Sequence, residues 1–223
     1  MKLHNFIIFL GTGIIIIAFI VAVYHLNKEK PNYFKYIFLF IVLGLLISYN
    51  TIINNNYSWY YNKKYAIFTE MILMLIQSLL LGLFFNEILN KSKFSKIIKP
   101  LLFVSILIQI TLIITVFSTN KEVRPNITQN LIMLIFCFFY LKDLMTNKPT
   151  LIIIRSSIFW IVMGIFYSSC ICLPVNSLIP YITKNDKYIN FSYQIFSIGN
   201  ISLIVLYLLI IKSYLCLKHP QNL

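Results

Sequence analysis

The stretch FIIFLGTGIIIIAFIVAV, residues 6–23, contains no charged side chain and is about as long as a helix that crosses a bilayer. A secretory signal is the alternative interpretation, because the segment Met1–His4 precedes this stretch and carries a lysine. However, the apolar run is longer than the core of a signal peptide, and no small-x-small cleavage site follows it. We therefore interpret residues 6–23 as the centre of a first membrane helix.

Apolar runs of similar length recur along the rest of the chain. Together with the first, their predicted limits are 5–26, 33–53, 66–89, 98–118, 126–145, 153–175 and 191–215. The fifth run is the weakest, because its strongly apolar part, Leu131–Leu141, is short and Lys142 follows, so a six-span fold is the alternative. A helix that starts at Pro125 or Asn126, with Lys142 snorkelling to the interface, has adequate length. The sequence thus predicts an all-α transmembrane bundle of seven helices.

Proline and glycine positions support these limits. Six of the seven prolines lie outside a run or in its first turn, and Pro174 lies at the end of the sixth run. All six glycines lie inside runs, where small residues let helices approach closely. We expect the sixth and seventh helices to pack together at Gly164 and Gly199.

The composition excludes an ordinary soluble domain. Hydrophobic residues make up 59% of the 223 residues and charged residues 11%, whereas soluble domains carry about 25% charge. Seven spans and short loops account for residues 1–223 as a single integral membrane domain. The net charge of +13 comes from short basic clusters between the runs, which predicts contact with membrane lipids and not with nucleic acid.

The distribution of Lys and Arg predicts the orientation in a bacterial inner membrane. With the N-terminus outside, twelve of the 19 basic residues fall on the inner side of seven spans. Because short cytoplasmic loops carry the excess of positive charge, this bias places the N-terminus outside and the C-terminus in the cytoplasm.

Motifs of catalysis and cofactor binding are missing from the sequence. It contains no H-E-x-x-H, no Gly-x-Ser-x-Gly elbow, and no Walker A or dinucleotide-binding glycine pattern. The three histidines are His4 and His25, which flank the first run, and His219 in the tail. We predict no catalytic residues, no metal site and no cofactor.

Polar residues in the outer halves of the runs form the candidate ligand-binding site. Glu70 is the central member, because an ionisable residue within a span is costly and by default suggests function. Its depth also allows simple interfacial placement, and both interpretations stay open. The predicted set is Glu70, Asn50, Gln77, Asn130, Tyr193, Ser197 and Asn200. The last three share one helical face, which either lines a cavity or hydrogen-bonds neighbouring helices.

The sixth and seventh runs carry a family resemblance. The residues involved are Phe159, Trp160, Gly164 and Tyr167 in the sixth run and Asn200 in the seventh. This region, about 60 residues long, resembles short seven-span membrane proteins of Bacteroidota, similar to the membrane sensor regions found ahead of histidine kinases. The resemblance implies a sensory or accessory signalling role.

The leading hypothesis is therefore a non-enzymatic, sensory or receptor-like seven-helix membrane protein that acts through a protein signalling partner. The alternative is a small transporter or channel-like protein with its substrate site in the outer half of the bundle. A membrane enzyme that acts on lipids ranks third. The paired acidic residues that such an enzyme would use are missing from the predicted core.

Reporter fusions test the predicted orientation. Fusions at Leu223 and after Lys96 should report a cytoplasmic location, and a fusion near Asn185 should report a periplasmic one, because the positive charge is biased to one side. Opposite signals at all three sites would overturn the orientation. Disagreement only beyond the fourth loop would indicate six spans.

Overall fold

The computed structural model of this protein describes residues 2–26, 31–56, 63–119, 126–147, 153, 156–182 and 189–217, with only the backbone at some positions near helix ends. These residues form α1 (Lys2–Leu26), α2 (Tyr33–Asn56), α3 (Lys63–Ile88), α4 (Ser95–Thr119), α5 (Asn126–Asn147), α6 (Ser157–Ile182) and α7 (Ile189–Cys216). Of the described residues, 94% are helical and none lies in a strand. All seven helices are long and apolar enough to cross a membrane, which confirms the predicted fold class.

The fifth helix, the weakest in the sequence, is one of the seven. It begins at Asn126 and ends at Asn147, and Lys142 is exposed near its end. The apolar stretch before Lys142 is therefore the middle of a longer helix whose ends are polar. A charged residue close to a helix end is tolerated because its long side chain reaches the interface.

Two helices extend past prolines that we expected at or near a boundary. Helix α6 begins at Ser157, later than predicted, and continues beyond Pro174 to Ile182. Helix α4 begins at Ser95, which places Pro100 in its second turn and not its first. A proline removes one backbone hydrogen bond. In an apolar segment this loss is smaller than the cost of unwinding the helix, which would leave several backbone groups without partners.

The helices divide into two compact units. The first unit comprises Met1–Pro31 and Met133–Leu223, and so contains α1, most of α5, α6 and α7. The second unit is Asn32–Ile132, with α2, α3, α4 and the first turns of α5.

In the first unit, α6 and α7 pack against each other as an antiparallel pair. Near the start of α6, the Lys212 ammonium lies 3.5 Å from the centroid of the Trp160 ring. One turn later, a Cβ on Gly164 would lie 3.3 Å from the Leu206 carbonyl oxygen and 3.3 Å from the Leu209 Cβ. The predicted packing of these helices is thus present, and Gly164 is the point of closest approach. At Gly199 an added Cβ would make only ordinary contact.

Helix α1 packs against α7, and the two helices run parallel. A Cβ on Gly11 would lie 3.6 Å from Ile204, and fourteen residues later the His25 ring lies 6.0 Å from the Tyr214 ring. Parallel first and last helices require an odd number of crossings, as seven spans provide. Helix α1 has a single buried stripe, formed by Ile7, Ile15, Ala18, Ala22 and His25.

In the second unit, α4 also has a single buried stripe, and that stripe contacts α3. Its members, spaced three or four residues apart, are Ile98, Leu102, Ser105, Gln109 and Ile113. Gly82 of α3 accommodates Leu102, whose side chain would overlap any Cβ at that position. Helix α2 joins α3 through the Tyr33 and Phe84 rings, which meet edge-on with centroids 6.1 Å apart.

Replacing Gly164 with Leu tests the α6–α7 contact. The new side chain meets backbone and Cβ atoms that cannot rotate away, so we expect a loss of about 1–3 kcal/mol in the free energy of unfolding. Gly13→Leu is the matched control, because a Cβ there has no neighbour within 4 Å. Equal thermal stability of the two variants in detergent would contradict the close approach at Gly164.

Candidate functional site

Glu70 lies on the buried face of α3. Gln77 follows it by two turns, so the two residues share a face and lie about 10 Å apart along the helix axis. The same face continues to Leu81 and Phe84, which are buried, whereas the opposite face presents the exposed Ile72. Glu70 is half-buried and Gln77 is buried. The carboxylate thus stands on the protein-facing side of its helix, where a cavity-lining residue would have to lie.

The two asparagines of the predicted set lie on faces of different kinds. Asn50 shares its face of α2 with Leu39 and Leu46, whose side chains are exposed. Asn130 shares its face of α5 with Cys137, which is fully buried. Asn130 is therefore placed like a residue of an internal site, whereas Asn50 is not.

The predicted polar face of α7 is partly covered by α1. Ser197 is buried and Asn200 is half-buried on this face, and the side chain of Tyr193 lies outside the described residues. One turn after Asn200, Ile204 on the same face packs against Gly11 of α1. This face therefore contributes to an apolar helix contact for part of its length, and both interpretations of its polar residues stay predictions.

The seven predicted residues belong to both compact units. The second unit holds Asn50, Glu70, Gln77 and Asn130, and the first holds Tyr193, Ser197 and Asn200. Within the second unit, Glu70 and Gln77 share one buried face. The complete seven-residue site stays a prediction.

A buried hydrogen-bonded cluster joins α3 to α4, and the sequence analysis did not select it. The Gln109 amide nitrogen donates to the Ser78 hydroxyl at 2.9 Å and to the Ser105 hydroxyl at 3.1 Å. All three side chains are almost completely buried. The spacing of Ser105 and Gln109 by four residues in an apolar run was the available signal, since it places both on one helix face.

Helices α6 and α7 have polar contacts of their own. The Ser202 hydroxyl donates to the Gly199 carbonyl oxygen at 2.7 Å, and the Cys172 thiol lies 3.2 Å from the Ser202 oxygen. Because the serine hydrogen is already used, the thiol is the donor in the second contact. Cys172 is therefore a hydrogen-bonding packing residue between α6 and α7.

The polar side chains of the two clusters bond to one another or to backbone. They are the hydroxyls of Ser78, Ser105 and Ser202, the Gln109 amide and the half-buried Cys172 thiol, which donate and accept hydrogen bonds. Within the described part of the chain, no group of three or more His, Cys, Asp or Glu side chains could hold a metal ion.

Comparison of this chain with protein families, with curated proteins and with solved structures finds no match. The resemblance to Bacteroidota membrane proteins therefore stays a prediction from the sequence. Two residues that carry it have clear structural roles, since Trp160 lies under the Lys212 ammonium and Gly164 packs against α7.

A double-mutant cycle tests the α3–α4 cluster. Ser78→Ala and Gln109→Leu each remove one partner of the 2.9 Å bond, and we expect a coupling of about 0.6 kcal/mol between them, the average for such bonds in membrane proteins. Ser213→Ala is the control partner for Gln109→Leu, because its hydroxyl bonds to Ile210 in its own helix. Equal coupling in both cycles would contradict the α3–α4 bond.

Proposed function

We propose that this protein is a non-enzymatic protein of the bacterial inner membrane that works as a sensory or receptor-like module and passes its signal to a partner protein. In this proposal the N-terminus lies outside and the C-terminus lies in the cytoplasm. The bias of positive charge supports this orientation, because twelve of the 19 basic residues would then lie on the inner side. The turn between α3 and α4 would face the cytoplasm.

The arrangement of α3 is the observation that carries the proposal. The half-buried Glu70, near the start of the α3 span, shares a face with the buried Gln77 at its middle, as a site that opens to the outer side requires. At the other end α3 leads into a hydrogen-bonded turn, in which the Ser92 amide donates to the Leu89 carbonyl oxygen at 2.9 Å. The exposed lysines in and after this turn are Lys91, Lys93, Lys96 and Lys99. One helix thus links a polar site to a basic surface.

The contact between α3 and α4 would transmit a movement of α3 to the basic turn. Leu102 fills the space beside Gly82, and the Gln109 amide bonds to the Ser78 hydroxyl, so the two helices would move as a pair. A displacement of α3 on ligand binding would then be carried to the lysines of the turn. Basic side chains of this kind fit an acidic surface on a signalling partner, where charge complementarity guides association.

A small transporter is the second candidate, and Glu70 is the observation that favours it. An ionisable side chain on the buried face of a span is costly, and such residues mark ion and substrate pathways. The two candidates differ in what the basic turn does. A sensor requires a protein at the turn, whereas a transporter requires passage of a solute past Glu70.

Site-specific photocrosslinking in cells distinguishes the two candidates. A photoreactive residue at Lys93 should capture one discrete protein, because this side chain is exposed on the proposed docking surface. The matched control is the same residue at Lys142, which is exposed and predicted on the same side of the membrane. Lipid adducts alone at both positions would contradict a partner-dependent role.

Glu70→Gln tests whether the two ends of α3 are coupled. The substitution removes the charge and keeps the shape, so it should change the Lys93 crosslink yield by about fivefold or more, the lower end of ordinary allosteric coupling. Ile72→Leu, on the exposed face of the same helix, should leave the yield unchanged. Both variants should insert and melt like the wild type. An unchanged Lys93 crosslink yield in Glu70→Gln would show that Glu70 takes no part in signalling.

A further inference from the structure

We propose that the first two turns of α4 bind an anionic phospholipid, with Lys96 and Lys99 on its phosphate and the acyl chains along the exposed apolar side of the same helix. Both lysines are exposed. Lys91 and Lys93 precede α4 and belong to the turn, so they take no direct part in this site. The inference is independent of the sensory function proposed above, which places a partner protein at Lys93.

Helix α4 carries two stripes of side chains with different surroundings. The buried stripe contacts α3, through Leu102 beside Gly82 and through the Gln109 bond to Ser78. The second stripe is exposed, and its members are three or four residues apart: Lys96, Lys99, Phe103, Leu107, Ile110 and Ile114. Two of its apolar members, Phe103 and Ile114, are each 62% exposed. This stripe offers acyl chains a continuous apolar surface that begins beside two positive charges.

The depth of the two lysines suits a lipid headgroup. The part of α4 that could cross a membrane is Ser95–Val116, so Lys99 lies within about 6 Å of its start along the helix axis. A lysine stem can lie along an apolar surface while its ammonium group reaches the interface. The two ammonium groups therefore fall at the level of lipid phosphates, and Phe103, one turn further on, falls at the level of the acyl chains.

The charge at this end of the second unit favours an anionic headgroup over a neutral one. Residues 91–99 contain four lysines, and all four are exposed. The exposed Lys35 lies at the same end, because Tyr33 at the start of α2 contacts Phe84 near the end of α3. The acidic residue nearest to the turn in the sequence is the exposed Glu87. Basic clusters next to a membrane helix attract anionic lipids, and each basic residue contributes roughly fivefold in affinity.

The spacing of Lys96 and Lys99 distinguishes a lipid site from a general attraction to the membrane surface. Residues three apart on a helix are neighbours, so both ammonium groups can reach one phosphate. The acyl chains of that lipid would then lie beside Phe103 and Leu107 of the exposed stripe. The lysines of the turn lie outside the membrane-length parts of α3 and α4, and so add positive charge without a surface for acyl chains.

Lipid binding by the full-length protein in a neutral detergent tests this proposal. Native mass spectrometry should show tighter binding of phosphatidylglycerol than of phosphatidylcholine with the same acyl chains. The double variant Lys96→Gln with Lys99→Gln should lower the affinity for phosphatidylglycerol by about tenfold or more, because two charges are removed. Inorganic phosphate at matched ionic strength should not displace the lipid, because it lacks the acyl chains that contact the apolar stripe.

Two further double variants locate the site. Lys91→Gln with Lys93→Gln removes the same charge from the turn and should lower the affinity much less. Lys96→Arg with Lys99→Arg keeps the charge and should bind phosphatidylglycerol like the wild type, and all variants should melt alike without added lipid. The proposal is overturned if phosphatidylglycerol is not preferred, if the glutamine variant in α4 binds it like the wild type, if the turn variant loses as much affinity, or if inorganic phosphate displaces the lipid.

Discussion

The structure depends on one constraint, the need of every backbone N–H and C=O group to find a partner inside an apolar solvent. A bilayer core offers no water, so a continuous helix is the state in which a single segment satisfies its own backbone. The constraint explains why α6 continues past Pro174 and why α4 includes Pro100. In water a proline of this kind would often end a helix. In an apolar segment, one missing bond is preferred to several unpaired groups.

The same constraint acts on polar side chains, and here the protein solves it by pairing. Gln109 uses its amide hydrogens on two serine hydroxyls, and the Cys172 thiol contacts the Ser202 hydroxyl. Lys212 places its charge over the face of Trp160, where the ring quadrupole attracts a cation. His25 differs from these residues, because its Nε2 atom is buried without a partner in the described part of the chain.

Part of the candidate site could be predicted from sequence because helical spacing fixes which residues share a face. The seven-residue interval between Glu70 and Gln77 places them together on any α-helix. Spacing does not say which face is buried, and that is decided by the neighbouring helices. Asn50 illustrates the difference, since it resembles Asn130 in the sequence but lies beside the exposed Leu39 and Leu46. Gln109 had a polar partner four residues earlier, yet its bond to Ser78 depends on the register of α3 against α4.

The sequence by itself determined the fold class, the number of membrane-length helices and most of their limits. It could do so because apolar length and charge distribution are properties of each segment alone. Whether a segment can span a bilayer depends on these two properties. Only the tertiary structure decided that Gly164 and Gly82 are points of close approach, while Gly13 faces open space. Only the tertiary structure decided that α1 lies parallel to α7 with His25 buried at the end of their contact. The physical reason is that burial and pairing depend on atoms from two helices, and neither helix encodes the register of its neighbour.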